Sequence, residues 1–322
     1  MRIKRNGPEV LSRLITIHCF LLLVATAAAQ ELLQNPTTTP TPRIWTAQDL
    51  FRRNVGTPAQ QRTPFAPHKI VGNIYYVGTE SLSSFLIVTP AGNILIDSTF
   101  ESNVPGIRDS VEKLGFKFTD IKILVGSHAH GDHQEGDAMV AEMTGAKAMA
   151  MAEDIPALQA MRTPSGKARP MYEALHDGDK VALGGVTLVA HLTPGHTHGC
   201  TTWTTTAQEG GKTYDVAIIG SMGINNSSVP LWQNGALTPL GEEYTRGFKA
   251  MHAIRADVVL GSHPAMHALQ EKYAKLTAPQ QTAGGGGGMN PYIDPKGYDT
   301  ELALEEGAFL QILEAQQKPS PP

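Results

Sequence analysis

The sequence contains very little cysteine and no surplus of basic charge. Cys19 lies in an apolar run near the N-terminus, and Cys200 lies in the second half of the chain. If the apolar run is a cleaved leader, only one thiol remains, which excludes a disulfide within the mature chain. Lysine and arginine together number 26 against 30 aspartates and glutamates, so no positive field gathers nucleic acid. We therefore expect neither a disulfide scaffold nor a nucleic-acid partner.

Long apolar runs are also scarce, and the longest one is at the N-terminus. Basic residues precede an apolar stretch over residues 14–25, and alanines 27–29 precede Gln30. This order of basic, apolar and small residues is typical of a secretory signal peptide. A membrane span needs about 20 apolar residues, and this stretch is shorter, which disfavours an uncleaved membrane anchor. We expect residues 1–29 to be removed on export, leaving a periplasmic or secreted protein without a stable membrane span.

The remaining chain is predicted to form one domain with two flanking segments. The full chain has 322 residues, 41% of them hydrophobic, which suffice for a large core. Residues 30–63, which include a proline- and threonine-rich cluster, are interpreted as an N-terminal extension. The domain itself is predicted over residues 64–316, and residues 317–322 form a C-terminal tail. Five consecutive glycines at 284–288 predict a flexible loop within the domain.

Short β-branched runs alternate with helical patterns through the predicted domain. Helices are predicted over residues 103–114 and 137–144 and again from about Tyr298 to Leu313. The predicted strands cover residues 74–77, 85–88, 93–96, 122–125, 146–151, 186–192, 216–219 and 258–260. Many strands with helices between them favour a layered α/β fold.

The strongest chemical signal is a cluster of histidines directly after the predicted strand 122–125. Side chains alternate along an extended chain, so His128 and His130 point the same way and can share one metal ion. Asp132 and His133 follow where the chain turns towards a helix, and they can face a second ion. Three imidazoles and a carboxylate crowded at a buried strand end need partners, which favours metal binding over a packing role.

Two isolated histidines, His196 and His263, each follow a predicted strand closely. Taken singly, each is more typical of an ordinary loop histidine than of a metal ligand. However, strand ends at one edge of an open α/β sheet converge, and ligands bind at that edge. We therefore expect both histidines to join the cluster.

The motif H-x-H-x-D-H at residues 128–133 resembles that of the metallo-β-lactamase superfamily. Two further segments, Pro64-Phe65-Ala66-Pro67 and residues 290–298, resemble the third subclass of zinc β-lactamases. The similarity extends over about residues 64–316. It implies the four-layer αβ/βα sandwich of the metallo-β-lactamase type and an enzyme with two zinc ions per chain.

The resemblance also implies how the metal ligands divide. One zinc is assigned to His128, His130 and His196, and the other to Asp132, His133 and His263. A site with three histidines leaves the fourth position of a tetrahedral zinc to water, whose pKa falls to about 7 on the metal. Asp132 is in addition expected to orient the nucleophile, and we predict it to be catalytic.

Ser221 distinguishes this chain from other hydrolases of the superfamily. Glyoxalase II and many lactonases carry a bridging aspartate after the strand that ends here at Gly220, whereas this chain has Ser221. The resemblance implies a catalytic Ser221 that holds a water or the substrate carboxylate; a plain loop residue is the alternative. A second hydroxyl, often found two residues later in the subclass, is absent because that residue is Gly223. Cys200 is interpreted as a buried, inert thiol, and Glu135 as an acid near the mouth of the site.

These features predict a monomeric zinc-dependent hydrolase that opens the β-lactam amide bond of antibiotics with a metal-activated hydroxide. Two alternatives stay open. The same centre can act on a lactone, a thioester or another ester, although Ser221 in place of aspartate favours a β-lactam. The chain can also be an exported zinc-binding protein with little catalysis, in which case metal binds tightly and no substrate is turned over.

Overall fold

The computed structural model describes residues 45–279 and 289–318. The predicted signal peptide, the proline- and threonine-rich cluster, the glycine run and most of the C-terminal tail lie outside the described residues. Two mixed β-sheets pack face to face, and helices cover both outer faces.

The first sheet has seven strands that lie side by side in chain order. The first three neighbouring pairs of strands are antiparallel, and the last three pairs are parallel. The strands are β1 His68–Val71, β2 Ile74–Tyr76, β3 Phe85–Thr89, β4 Gly92–Ile96, β5 Ile121–Val125, β6 Lys147–Met151 and β7 Tyr172–Leu175. In the parallel half, the four strands β4 to β7 therefore end at the same edge of the sheet.

The second sheet has five strands in the order β14-β11-β10-β9-β8. Its pairs are antiparallel except for β11 with β14. The strands are β8 Lys180–Leu183, β9 Val186–Leu192, β10 Thr201–Glu209, β11 Lys212–Ile219 and β14 Val258–Gly261. A separate hairpin is formed by β12 Trp232–Gln233 and β13 Ala236–Leu237.

Helices complete the outer layers. They are α1 Ala47–Val55, α2 Val104–Lys113, α3 Gly131–Gln134, α4 Asp137–Thr144, α5 Ile155–Ala160, α6 Pro239–His252, α7 Leu269–Thr277 and α8 Gly297–Gln317. Apolar side chains of α2 and α4 pack on the first sheet, and those of α1, α6 and α8 pack on the second. This order of layers confirms the predicted four-layer sandwich. No helix in the described part of the chain is both long and apolar enough to cross a bilayer.

The core between the sheets also supports the turn that leads into the histidine cluster. Trp203 on β10 is fully buried there among apolar side chains of both sheets. Its indole N–H donates to the carbonyl of Gly126, with 3.1 Å between nitrogen and oxygen. Gly126 follows β5 directly, so the second sheet holds the backbone from which the cluster begins.

Trp203→Phe is expected to lower the free energy of unfolding by about 2 kcal/mol, because the buried Gly126 carbonyl loses its donor and the smaller ring leaves space. Urea unfolding of the metal-free protein measures this change. Trp232→Phe in the small hairpin is the control for loss of an indole. Equal effects of the two substitutions would show that the Gly126 contact contributes nothing.

Candidate metal centre

The histidine cluster begins where β5 leaves the first sheet. β5 pairs in parallel with β4 and β6, so the cluster lies at the edge where these strands end. His130 is still extended, with φ −115° and ψ 154°, and α3 begins at the next residue. The predicted turn from extended chain into a helix is confirmed. It separates His128 and His130 from Asp132 and His133.

One group of possible ligands joins the cluster to the loop after β9. Ligand atoms of His128, His130 and His196 all lie within 4.8 Å of one another. The ring centroids of His128 and His196 are 4.5 Å apart, and those of His130 and His196 are 4.8 Å apart. The structure thus places His196 beside the two histidines with which the family resemblance grouped it.

A second group lies directly beside the first. Ligand atoms of Asp132, His133 and His263 also lie within 4.8 Å of one another. The ring of His133 is 4.9 Å from that of His263 and 4.1 Å from that of His128. All six side chains predicted as ligands are therefore assembled in two adjacent groups of three.

The protonation of the clustered histidines other than His133 fits metal binding. Burial, reinforced by neighbouring imidazoles, lowers the pKa of His196 to about 3 and the pKa of His263 to about 4. Burial also holds the pKa of His128 well below its usual value. The neutral imidazole is the form that binds a metal ion. His133 differs: burial opposes its charge, but the carboxylates of Asp132 and Asp97 outweigh this and raise its pKa to about 10.

Hydrogen bonds at the Nδ1 atoms orient two of the rings. His196 Nδ1 lies 2.6 Å from the carbonyl oxygen of Gly223, and His263 Nδ1 lies 3.0 Å from that of Ser81. A carbonyl accepts only, so Nδ1 carries the proton and Nε2 is left as a ligand. In His128, the buried Nε2 has no hydrogen-bond partner among the described residues. An orphaned buried nitrogen of this kind fits a metal ion better than a packing role.

The fold is shared with known proteins. Residues 77–208 match the family model of the metallo-beta-lactamase superfamily. The chain is 42% identical to the native FEZ-1 metallo-β-lactamase of Legionella gormanii, over 80% of this chain and 99% of that one, with a TM-score of 0.70. It is 32% identical to BJP-1, a subclass B3 metallo-β-lactamase of Bradyrhizobium japonicum, over 80% and 97% of the two chains, with a TM-score of 0.68. The chain belongs to the metallo-β-lactamase superfamily. The resemblance noted in the sequence is confirmed.

In this member of the superfamily, the buried carboxylate of Asp97, which was not predicted as a site residue, contacts both ends of the histidine cluster. Asp97 follows β4 and has a positive φ of 62°. Its Oδ1 accepts from the backbone N–H of Ser127 at 2.7 Å, and its Oδ2 lies 3.4 Å from His133 Nδ1. This position of Asp97 could have been predicted from the sequence, because Asp97 follows a strand parallel to β5 and so lies at the same sheet edge.

A second missed carboxylate, Asp154, connects the two loops that carry the first ligand group. It follows β6 and is 3% exposed. Its Oδ2 accepts from the backbone N–H of Ala129 at 2.8 Å and from the hydroxyl of Thr197 at 2.7 Å. Its Oδ1 accepts from the N–H of Gly199 at 2.7 Å. Two residues that closely follow His196 are thereby tied to the backbone between His128 and His130.

Gly195 allows the His196 loop to approach α6. Its φ is +134°, and a Cβ on this residue would lie 2.6 Å from Cδ1 of Tyr244. A side chain here is therefore both strained and blocked by a buried ring.

Gly195→Ala is expected to lower the free energy of unfolding by about 2–3 kcal/mol and to weaken metal binding, because the loop must shift to relieve the contact. The matched control is Gly210→Ala, which shares a positive φ, +56°, but has no atom within 4 Å of its added Cβ. Chemical unfolding and zinc titration compare the two variants. Equal metal affinity in both would show that the close approach does not position His196.

The structure places Ser221 beside the first ligand group. It follows β11, is 4% exposed, and its hydroxyl accepts from the N–H of Gly223 at 3.2 Å. Cys200 lies behind it, with its thiol 3.1 Å from the Ser221 carbonyl oxygen. Burial raises the pKa of this thiol, and Cys200 belongs to neither ligand group. Its interpretation as an inert buried residue agrees with this position.

The side chain of Glu135, which was expected near the mouth of the site, accepts a hydrogen bond from a neighbouring backbone group. Its Oε2 accepts from the backbone N–H of Glu101 at 2.9 Å, at the start of the 3₁₀ helix Glu101–Asn103. His198, two residues after His196, is exposed, and its Nδ1 lies 2.8 Å from the Glu243 carboxylate. Neither residue belongs to a ligand group.

Proposed function

We propose that this protein is a zinc-dependent hydrolase that opens the β-lactam amide bond of antibiotics. The observation that carries the proposal is the pair of adjacent ligand groups in a chain 42% identical to a metallo-β-lactamase over almost all of that enzyme. A β-lactam antibiotic is then the small-molecule substrate.

Two zinc ions are proposed, one for each ligand group. The first is assigned to His128, His130 and His196, and the second to Asp132, His133 and His263. Imidazole nitrogen and carboxylate oxygen are zinc ligands, and the orphaned Nε2 of His128 supports this assignment. When bound, zinc at such sites makes water acidic enough to yield a nucleophile near neutral pH and polarises a carbonyl group.

Asp132 and Ser221 are the residues proposed to act on the reacting molecules. The side chain of Asp132 is 23% exposed, whereas that of His133 is fully buried, so Asp132 offers a carboxylate oxygen towards solvent. Burial opposes its charge, but His133 and other imidazoles outweigh this and keep the pKa of Asp132 below its usual range. The ionised carboxylate accepts a hydrogen bond from the attacking water and orients it. The Ser221 hydroxyl donates to the substrate.

The experiment that tests the proposal combines metal analysis with a substrate panel. The purified mature chain is loaded with zinc and assayed with a cephalosporin, a carbapenem and an acyl-homoserine lactone. We expect two zinc ions per chain and β-lactam turnover that exceeds lactone turnover. Faster lactone hydrolysis would favour the esterase alternative. Tight zinc binding without turnover of any substrate would favour a metal-binding protein.

We further propose that the protein is exported and cleaved after Ala29. The support is the order of basic, apolar and small residues in segment 1–29. Expression of the full chain followed by cell fractionation and N-terminal sequencing tests this. A mature N-terminus at Gln30 in the periplasm or the medium is expected, and an intact leader in the membrane fraction would contradict it.

A monomer is proposed because one chain supplies both ligand groups. Light scattering of the zinc-loaded protein is expected to give the mass of a single chain. A dimer that loses activity on dilution would contradict the proposal.

A further inference from the structure

Two residues of the second ligand group, Asp132 and His133, lie on a helix of one turn. This helix, α3, spans Gly131–Gln134, and so short a helix has few internal hydrogen bonds to fix its direction. Its orientation therefore depends on contacts with the rest of the fold. At its C-terminal end, the carbonyl of Glu135 accepts from Arg169 Nη1 at 3.1 Å, although the two residues are 34 positions apart. The proposed reaction assigns no role to this arginine.

The same guanidinium also contacts the residue that begins the next helix. Asp137 is the first residue of α4 and is 1% exposed. Its Oδ2 lies 3.3 Å from Arg169 Nη2 and accepts from the hydroxyl of Tyr172 at 2.8 Å. The side chain of Arg169 is 5% exposed. One buried cation thus contacts both sides of the junction between α3 and α4, through the Glu135 carbonyl and through Asp137.

Asp137 joins this junction to the loop after β4. Its Oδ1 accepts from the hydroxyl of Ser98 at 2.6 Å. The next residue of that loop, Thr99, donates its N–H to the carbonyl of His133 at 2.8 Å, and its carbonyl accepts from the N–H of Gly136 at 2.9 Å. The backbone of α3 is therefore held by the loop after β4 and, through Asp137, by Arg169.

The pair of Asp137 and Arg169 is ionised at neutral pH. Burial raises the pKa of Asp137 to about 6, while Arg169 and the hydroxyls of Ser98 and Tyr172 oppose the rise. Most of the carboxyl group is thus charged at neutral pH, and a buried charge needs a partner close by. Arginine suits this position because its planar guanidinium reaches two acceptors at once, whereas the ammonium of a lysine is a single point charge.

The two ligand groups are supported by different side chains. Within the described residues, the hydrogen bonds and ion pairs of Arg169 go to Glu135, Asp137 and Tyr172. The backbone beside the first ligand group is tied instead by Asp154. A change at Arg169 is therefore expected to act on the ligands carried by α3 and to spare those of the first group.

We propose that Arg169 is a positioning residue for the second zinc ion: its contacts with both the Glu135 carbonyl and Asp137 hold α3 so that Asp132 and His133 face that ion. This inference rests on the proposed function, which assigns a zinc ion to the second ligand group. Arg169 acts through the backbone of α3 and not by touching the ion. It sets the affinity of the second group for zinc, and with it the share of chains that hold both ions when zinc is scarce.

The test measures zinc affinity one ligand group at a time. His196→Ala removes a ligand of the first group and His263→Ala a ligand of the second, so each variant retains one complete group. Arg169→Met is added to each background together with Asp137→Asn, because asparagine keeps the size of Asp137 and leaves no buried charge without its partner. In the His196→Ala background, competitive titration of the metal-free protein is expected to give a Kd for zinc that is about 10–100-fold higher. In the His263→Ala background, the Kd is expected to stay unchanged.

Two further variants test charge and contact separately. Lys167→Met is the matched control, because it removes a cation of the same segment that pairs with Glu142 at the surface, and it should change neither affinity. Arg169→Lys keeps a cation beside Asp137 and with it the fold, but one ammonium does not replace a contact with two acceptors. Its Kd for zinc in the His196→Ala background is expected to rise about tenfold.

The outcomes separate this proposal from the proposed function. An unchanged Kd in the His196→Ala background, for either Arg169 variant, would overturn the positioning role. An equal rise in both backgrounds would also overturn it, since a purely structural role predicts that result. If the Kd values change as expected but the zinc-loaded wild-type protein hydrolyses no β-lactam, the proposed function fails while the positioning role stands.

Discussion

His196→Ala is expected to remove zinc from the first ligand group and to abolish β-lactam hydrolysis. The loss of an outer partner of a metal ligand already costs about 10–100-fold in metal affinity, and the loss of a ligand is expected to cost more. The activity measured at saturating substrate should fall by more than about a hundredfold. Metal analysis of the dialysed variant, with a cephalosporin assay on the same sample, measures both effects.

The control for this substitution lies in the same loop. His198 is exposed and pairs with Glu243, so His198→Ala should keep both zinc content and turnover. In the metal-free state, His196→Ala should lower the free energy of unfolding by no more than about 1–2 kcal/mol, because among the described residues the ring has one hydrogen-bond partner, the Gly223 carbonyl. An active, zinc-replete His196→Ala would refute the assignment of His196 as a ligand.

Asp154→Ala is expected to lower the free energy of unfolding by about 3–5 kcal/mol, since a buried charge is removed and its donors keep no acceptor. The carboxylate accepts from the backbone of Ala129 and Gly199 and from Thr197, and a methyl group replaces none of these contacts. Zinc affinity should fall by about 10–100-fold because the two ligand loops are no longer tied together. Urea unfolding of metal-free protein and competitive zinc titration measure the two quantities.

Two further variants test whether the effect of Asp154→Ala depends on where the carboxylate lies or on its charge. Asp179→Ala removes a partly exposed carboxylate that accepts from the backbone N–H of His176 at 2.8 Å, and it should lower the free energy of unfolding by less than about 1 kcal/mol. Asp154→Asn keeps the size and one acceptor oxygen, so it should retain more stability than Asp154→Ala but still bind zinc less tightly. If Asp154→Ala were as mild as Asp179→Ala, the proposed connection between the loops would be wrong.

Strands and helices with a clear apolar period were predictable from local sequence. The predicted helix 137–144 and strand 186–192 have the bounds that the structure shows. Strand β10, Thr201–Glu209, was not predicted, although it is the longest strand in the second sheet. Its inward side chains include Thr205 besides Trp203 and Ala207, so polar residues occupy both faces and no apolar alternation appears.

The two groups of possible ligands were predictable because their residues follow strands. His128 and His130 were grouped by the expected alternation of an extended chain, and His196 and His263 by the expected convergence of strand ends at one sheet edge. The structure brings these residues together in another way: His196 and His263 follow strands of the second sheet, and the His130 N–H donates to the His128 carbonyl at 2.9 Å, so the chain between them is turned. Asp97 directly follows a strand and shares this signal, whereas the signal is weaker for Asp154, which lies three residues beyond β6. An aspartate after a strand is common in sequences, and its use as an acceptor for two loops depends on where those loops pack.

The sequence by itself determined which residues can bind metal and which family the chain belongs to, because a motif of closely spaced ligands needs only the local geometry of a strand and a turn. Tertiary structure decided which carboxylates hold those ligands and which groups keep their protons. Asp154 contacts residues more than twenty positions away, and Glu305 on α8 accepts a hydrogen bond from Asn54 on α1. Burial and neighbouring charge set the pKa of such groups, and both arise only when the layers pack together.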